Sequence, residues 1–405
     1  MPIYKGNTKI VKLYKGATEI VRRYKGTDLI YQNSLLPSGY IECEYLESSG
    51  TQYIDTGLTG NENTKIVVDM ACSSNGGQSI GYFATDRSIT LQFAPNGTAP
   101  SRFGTYSFVY SSWTADERAV YEIDVSGYKK NGVYLYQNST PQSFETGNLY
   151  LFRCNGSSSI RSFRIYDYKI YSNGVLVQHL IPSLDQSGTP CMYDAVSKTT
   201  LYNRGTGQFI YKIKLPNGYT ACEYLGSTGT QYIDTGYYAT NTSGINIDYA
   251  YTASGNAGLC GIFQNQQPRT DTLFITTLTG QTSTEIYLIS QGGEATNNVV
   301  PVLGTKYNAK INYLNNGKLI IDNGRAWNNG TNGVVSSRTI KLFCRDYNGN
   351  LAYTNARIYM CLISEDGNLV RHLVPCLDNN NVPCMYDGVE KQTYYNAGSG
   401  TFIYG

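Results

Sequence analysis

The chain has 405 residues, room for two or three domains at roughly 150 residues each. Its 32 Lys+Arg and 30 Asp+Glu leave a net charge of +2, and 15% of residues are charged. That balance excludes nucleic-acid binding driven by bulk basicity and excludes a charged disordered chain. Apolar residues at 41% suffice for packed cores, and 38 Tyr with 42 Gly point to strands and tight turns. Only 2 His occur, too few for a histidine-rich metal site and few for general-base chemistry.

The start, Met1 to Gly6, lacks the apolar core of a secretory signal, and no run approaches the ~18 apolar residues of a membrane span. The expectation is synthesis in a cytoplasm, with no membrane contact. The next feature is a strict ten-residue period: Tyr4-Lys5-Gly6, Tyr14-Lys15-Gly16 and Tyr24-Lys25-Gly26, each continuing to Ile10, Ile20 or Ile30. Lys-Gly followed by Asn7-Thr8, Ala17-Thr18 or Thr27-Asp28 is turn chemistry, since Gly accepts positive φ. The intervening Lys9 to Tyr14 and Glu19 to Tyr24 have strand composition, so residues 1–33 read as a small β meander. It carries +5 of the net charge, leaving −3 for the remainder. A segment this short lies below the ~40 residues that usually sustain a core. It is expected to be completed from outside, by strand addition to a partner or by identical chains. Tyr4, Ile10, Tyr14, Ile20, Tyr24 and Ile30 are the candidate anchor residues; a tether with weak β character and a nucleic-acid contact are the alternatives.

A larger repeat follows. Leu36-Pro37-Ser38-Gly39-Tyr40 recurs as Leu215 to Tyr219, and Gly50-Thr51-Gln52-Tyr53-Ile54-Asp55-Thr56-Gly57 recurs unchanged as Gly229 to Gly236, at an offset of 179. At the far end, His179-Leu180-Ile181-Pro182 matches His372 to Pro375, and Pro190-Cys191-Met192-Tyr193-Asp194 matches Pro383 to Asp387, at an offset of 193. Two homologous modules, 35–211 and 215–405, are therefore present. Strands are expected at Thr64 to Cys72, Ala119 to Val125, Val133 to Gln137, Ile160 to Tyr168, Gly244 to Tyr251, Tyr307 to Tyr313, Lys318 to Asp322 and Ala356 to Leu362. Asn131-Gly132, Asn173-Gly174, Asn316-Gly317 and Asp366-Gly367 signal hairpin turns, and Thr114 to Tyr121 is the one helical candidate. A module of this size with many short strands suits a two-sheet jelly roll.

The run E-Y-L-x-S-x-G-T-Q-Y-I-D-T-G (Glu44 to Gly57, Glu223 to Gly236) and the closing H-L-I/V-P…P-C-M-Y-D resemble laminin-G-like, concanavalin A-like domains of tailed-phage virion proteins. The Y-K-G decapeptide is similar to the leading segment of virion proteins that include those of crAss-like phages. The resemblance implies an all-β chain: a small β-repeat anchor and two tandem concanavalin A-like jelly-roll sandwiches. It implies a non-enzymatic virion structural protein, a head fibre, capsid decoration or tail fibre, that carries lectin-like modules toward host-surface glycan. Expected partners are other virion proteins, host glycan and further copies of the chain, three by analogy with phage fibres. No cofactor is expected.

Two further readings stand beside it: a lectin with a defined site, and a polysaccharide depolymerase. The depolymerase reading has one foothold. Glu122-Ile123-Asp124 places two carboxylates on one strand face, as glycosidases on this fold do, but the third acid of E-x-D-x-x-E is missing and the second module has none. Asp55 and Asp234 are read as turn caps, with calcium ligation as the alternative, and Asp194 and Asp387 likewise. His179 and His372 are read as half-buried core histidines. The ten Cys contain no C-x-x-C pair and are read as reduced packing residues. For sugar contact, Tyr106, Trp113 and Trp327 are the aromatic candidates, placed on loops where the modules differ most.

Overall fold

The computed structural model describes side chains in 35–72, 80–81, 87–91, 101–105, 114–137, 143–154, 162–240, 242–253, 258–262, 302–310, 336–346 and 349–405, together with the backbone of the remaining strands named below. The described structure is all-β. Near the N-terminus lie three two-stranded hairpins: Tyr4–Lys5 with Thr8–Lys9, Leu13–Lys15 with Thr18–Ile20, and Arg22–Lys25 with Asp28–Gln32. Each connects through two residues, Gly6-Asn7, Gly16-Ala17 or Gly26-Thr27. Gly at the first position of a two-residue loop is the sequence signature of a type II′ turn, which matches the strand twist. The residues expected to turn there lie outside the described residues. The predicted Lys9 to Tyr14 strand is described only as Thr8–Lys9 and Leu13–Lys15; Ile10 lies outside the described residues.

The chain divides into two compact units, residues 1–183 with 190–211, and 184–189 with 212–405. In the first, six strands pair in the order Tyr106–Tyr110, Ala99–Gly104, Ser88–Phe93, Gly77–Tyr82, Gly147–Leu151, Ile54–Gly60. The larger sheet runs Val133–Gln137, Gly127–Lys130, Ala119–Asp124, Thr64–Cys72, Phe163–Ser172, Ile41–Glu47, Val175–Leu184, Pro190–Asp194, Thr199–Tyr202, with Ile210–Ile213 beside Ile41–Glu47.

In the second unit the larger sheet runs Arg325–Asn328, Lys318–Ile321, Tyr307–Asn312, Gly244–Tyr251, Asn355–Glu365, Asn368–Leu377, Pro383–Asp387, Gln392–Tyr394. Thr220–Ala221, Leu225–Thr228 and Ile403–Tyr404 pair onto it. The smaller sheet runs Ile233–Tyr238, Thr339–Leu342, Ala257–Phe263, Leu273–Thr279, Thr284–Ser290, Gly293–Asn297, with Cys344–Tyr347 and Asn350–Tyr353 attached.

Both units are jelly-roll sandwiches. One buried cluster in the second unit joins Ile233, Leu259, Ile340 and Leu342 of the smaller sheet to Leu225, Ile245, Ile247, Ile358 and Leu373 of the larger. Alternation along each strand supplies that apolar face and turns every second side chain outward. The same side-chain tie crosses from sheet to sheet in each unit: Gln178 Nε2 donates to Thr56 O (2.9 Å), and Arg371 Nε donates to Thr235 O (3.2 Å). Asn131-Gly132, Asn173-Gly174 and Asp366-Gly367 all have positive φ at both residues, the type I′ geometry predicted for them.

One expected element is overturned. Thr114 to Tyr121 is not helical: a turn holds Asp116 at φ 62 and its N–H donates to Cys72 O (2.8 Å), after which Ala119–Asp124 is a strand. Its burial alternates residue by residue, and that period-two pattern wins over local helix propensity.

Candidate functional site

The most strongly repeated run proves to be scaffold. In Gly50 to Gly57, Gln52 is buried and its Oε1 accepts from Ser49 N (2.9 Å) and Ser48 Oγ (3.1 Å). Thr51 Oγ1 donates to Thr206 O (2.9 Å), and Asn203 Oδ1 accepts from Tyr53 N (3.1 Å), tying the run to the end of its module. The second copy repeats this: Thr228 N to Gln231 Oε1 (2.8 Å), Thr230 Oγ1 to Ser399 O (2.9 Å), Tyr232 N to Asn396 Oδ1 (3.2 Å). Asp55 and Asp234 accept from Gly57 N (2.9 Å) and Gly236 N (3.0 Å), closing turns where both glycines have positive φ. These carboxylates cap backbone.

A second repeated feature faces away from the core. Tyr45 and Tyr166 meet edge to face at 5.5 Å, and Tyr224 and Tyr359 do so at 5.8 Å. Each pair is flanked by cations. Arg118 lies 3.8 Å over Tyr166 and holds Asp69 through two hydrogen bonds (3.0 and 2.8 Å). Lys306 lies 4.7 Å over Tyr359 and pairs with Asp248 (3.0 Å). At the other end Arg164 lies 5.4 Å over Tyr45, and Arg357 lies 4.4 Å over Tyr224. The row carboxylate, cation, Tyr, Tyr, Arg thus stands on the outer face of the larger sheet in both units. Cation–π contacts of this kind stabilise by about 0.5–2 kcal/mol each, and exposed ion pairs by about 1 kcal/mol or less. Burial raises the Tyr45 and Tyr166 phenols above their ordinary range, so both remain neutral. The sequence reading missed this row because its members come from strands far apart in the chain; the two repeat offsets relate all its members except Arg118 and Lys306.

The row ends differently in the two units. Arg164 Nε donates to Glu47 Oε2 (2.9 Å) and its Nη1 to Asp116 Oδ1 (3.1 Å). At the position of Glu47 the second unit has Gly226, and Arg357 Nε is buried with no hydrogen-bond partner. Leaving such a donor unmet costs about 1–3 kcal/mol.

The other predicted residues are placed as follows. Glu122 pairs with Lys65 (2.6 Å) and Lys129 (3.8 Å), and Asp124 accepts from Ser126 N (2.8 Å) at a hairpin turn. Neither is poised as a general acid. His179 is part-buried, its Nε2 2.6 Å from Asp167 Oδ1; burial works against the Asp167 charge, but His179 and Lys169 outweigh it and hold the carboxyl below its usual value. His372 is fully buried rather than half-buried: apolar Leu362 stands across the ladder from it where Lys169 stands across from His179, and Met360 takes the place of Asp167. Asp194 and Asp387 each accept from a histidine N–H, His179 (3.0 Å) and His372 (2.9 Å), and from the N–H two residues on. None of the ten cysteines is in a disulfide; nine are buried and Cys222 is partly exposed. Among the described residues no group of three or more His, Cys, Asp or Glu is placed to hold a metal ion.

Trp113 lies outside the described residues, as do the side chains of Tyr106 and Trp327. The backbone corrects the loop assignment for two of them. Tyr106 opens the edge strand Tyr106–Tyr110, opposite Phe103, and Trp327 lies in the edge strand Arg325–Asn328, opposite Leu319. Segments read as variable loops extend the sheets instead.

No protein-family model and no curated protein matches the chain. Among solved structures, the mouse laminin alpha1 chain, domains LG4-5, is similar over 84% of this chain and 96% of that one, at 12% identity and a TM-score of 0.28. The LG1-3 region of the laminin alpha2 chain is similar over 80% of this chain and 65% of that one, at 9% identity and a TM-score of 0.26.

Proposed function

We propose that the chain is a non-enzymatic structural and adhesion protein of a virion, a head fibre, capsid decoration or tail fibre. Its N-terminal hairpins fix it to the particle, and its two lectin-like sandwiches present host-facing surfaces for glycan. The observation that carries the anchor is the set of three Y-K-G hairpins. Each is a two-stranded sheet, a unit that is marginal by itself in water. Residues 1–33 hold a +5 charge and the hairpins offer strand edges, which suits completion by a virion partner or by further copies of the chain. Adhesion rather than hydrolysis is supported by Glu122, whose carboxylate is committed to two lysines, and by the outer-face row retained in both units.

The test is made on particles. Virions carrying the chain without residues 1–33 are purified and probed with antibody against 35–405. Loss of the protein from particles, with the truncated chain soluble and β-rich, is the expected result; full retention overturns the anchor. Immunogold on intact particles then separates head from tail, and absence of label rejects the virion reading.

A further inference from the structure

We propose that Cys376 and Cys384 are a modification site: a small disulfide oxidant, entering through Cys222, closes them into a disulfide that locks the second unit. The inference is independent of the virion and adhesion readings. The two cysteines stand directly opposite each other across the ladder between Asn368–Leu377 and Pro383–Asp387. Their Sγ atoms lie 3.5 Å apart, and each thiol also meets the other residue's carbonyl oxygen, at 3.7 Å from Cys376 and 3.5 Å from Cys384. Residues opposed in an antiparallel pair have Cα separations inside the range that a disulfide spans. The sulfurs need approach by only about 1.5 Å more to reach bonding distance, a movement of side chains rather than of backbone.

The repeat shows that the sandwich does not need this pair for packing. At the offset of 193 the first unit has Cys191 for Cys384 but Ser183 for Cys376. Ser183 is buried and its Oγ donates to Ile181 O (2.8 Å), so the position is filled and satisfied without a second sulfur. The second unit alone sets two thiols face to face there. Two reacting groups held in contact close far faster than the same groups free in solution.

Access decides the route. Cys376 and Cys384 are fully buried, and the hydrogen bond between them, with burial added, holds the Cys376 thiol protonated. Thiols in that state resist direct attack. Cys222 is partly exposed. It follows Ala221, which stands across the ladder from Cys376, and its N–H donates to Pro375 O (3.1 Å). Its sulfur lies within electrostatic reach of Cys384. Oxidation therefore enters at Cys222, whose thiolate attacks one sulfur of the external disulfide and releases the other as a thiolate. The Cys384 thiolate then attacks Cys222 Sγ and expels the second external thiolate. Last, the Cys376 thiolate attacks Cys384 Sγ and returns Cys222 to its thiolate. Two protein thiols are oxidised, one external disulfide is reduced, and the two protons end on the released thiols.

The full chain is incubated folded with oxidised glutathione, quenched with N-ethylmaleimide in denaturant, and digested with trypsin. The tryptic peptide 372–391 carries Cys376, Cys384 and no other cysteine. Its mass is expected to fall by two hydrogens with no maleimide taken up, and dithiothreitol should restore two labelled thiols. Cys376→Ser, which recreates the Ser–Cys pair of the first unit, should fold and lose this closure. Cys222→Ser should slow closure by about tenfold or more while leaving the same product. Closing a loop of about nine residues restricts the unfolded chain, so the urea midpoint of the second unit should rise by about 1 M on oxidation. Peptide 372–391 with two maleimides after oxidation sinks the proposal, as does a lasting glutathione adduct on it, since sulfurs in contact would have expelled the glutathione. A cross-link between 372–391 and 215–269 makes Cys222 a terminal partner and also overturns the pair. An unchanged rate in Cys222→Ser removes the entry route, and closure with an unchanged midpoint removes the lock.

Discussion

Residue type sets what a side chain is capable of, and its neighbours decide what it does. Gln52 and Gln231 make the point. Both sit in the unchanged eight-residue run, the kind of identity that invites a functional reading. Both are buried acceptors that collect hydrogen bonds from a Ser hydroxyl and a backbone N–H three to four residues away. Replacing Gln231 by Leu would strand Thr228 N, while Ser227 Oγ keeps its bond to the backbone carbonyl of residue 231, and is expected to destabilise the second unit by about 1–3 kcal/mol, measured by urea unfolding. An effect below about 0.5 kcal/mol would show that the run is retained for another reason. The turn-capping of Asp55 and Asp234 was legible, because Asp before Thr-Gly is local chemistry. The commitment of Glu122 to Lys65 and Lys129 was not. Lys65 reaches it across a strand pair whose register joins residues far apart in the chain, and no local pattern encodes that register.

At the scale of elements, hairpins were the most readable and strand ends the least. Asn-Gly and Asp-Gly fix type I′ turns because both positions need positive φ, and three such turns appear where predicted. Thr64–Cys72, Val133–Gln137 and Gly244–Tyr251 have the predicted limits, since alternation and flanking turns mark both ends. Phe163–Ser172 begins three residues after the expected Ile160 and runs four past Tyr168, and Asn355–Glu365 runs past Leu362 by three, both extended by pairing with neighbours on both sides. Glycine requirements separate into two kinds. Gly174 has φ +77 and open space where a Cβ would stand, so Gly174→Ala should cost about 1 kcal/mol in backbone strain. Gly205 and Gly398 are different: a Cβ there would stand 1.8 Å from Thr51 O and 2.1 Å from Thr230 O. Gly205→Ala is expected to cost at least about 3 kcal/mol, since backbone must move, and thermal unfolding of the two variants should rank them in that order. Similar melting temperatures would contradict the close approach.

On the scale of the molecule, the repeat makes two sandwiches legible, yet it does not reveal that the copies answer acid differently. The difference lies in one histidine. In the first unit His179 is partly exposed beside Asp167, and the lowered Asp167 supplies stability that is present above its ordinary value of 3.8 and lost only as pH falls through its lower folded value. In the second unit burial, with the charge of Lys391 added, pulls His372 down from 6.5 to about 3. A depressed histidine contributes stability that is full above the unfolded value and drains as pH falls toward the folded one, here from 6.5 to about 3. At about 1.4 kcal/mol per pH unit, acidification from pH 7 to 4.5 should cost the second unit about 2–3 kcal/mol through His372. Asp387 acts with the opposite sign. Burial raises it, so its contribution is fullest below its unfolded value and is lost as pH rises through the folded one. Comparing wild type with His372→Leu cancels that term, because Asp387 is common to both. Urea unfolding of the full chain at the two pH values should show the second-unit transition of wild type losing about 2–3 kcal/mol more than that of the variant. Equal losses in wild type and His372→Leu would mean that His372 gains a proton without unfolding its surroundings.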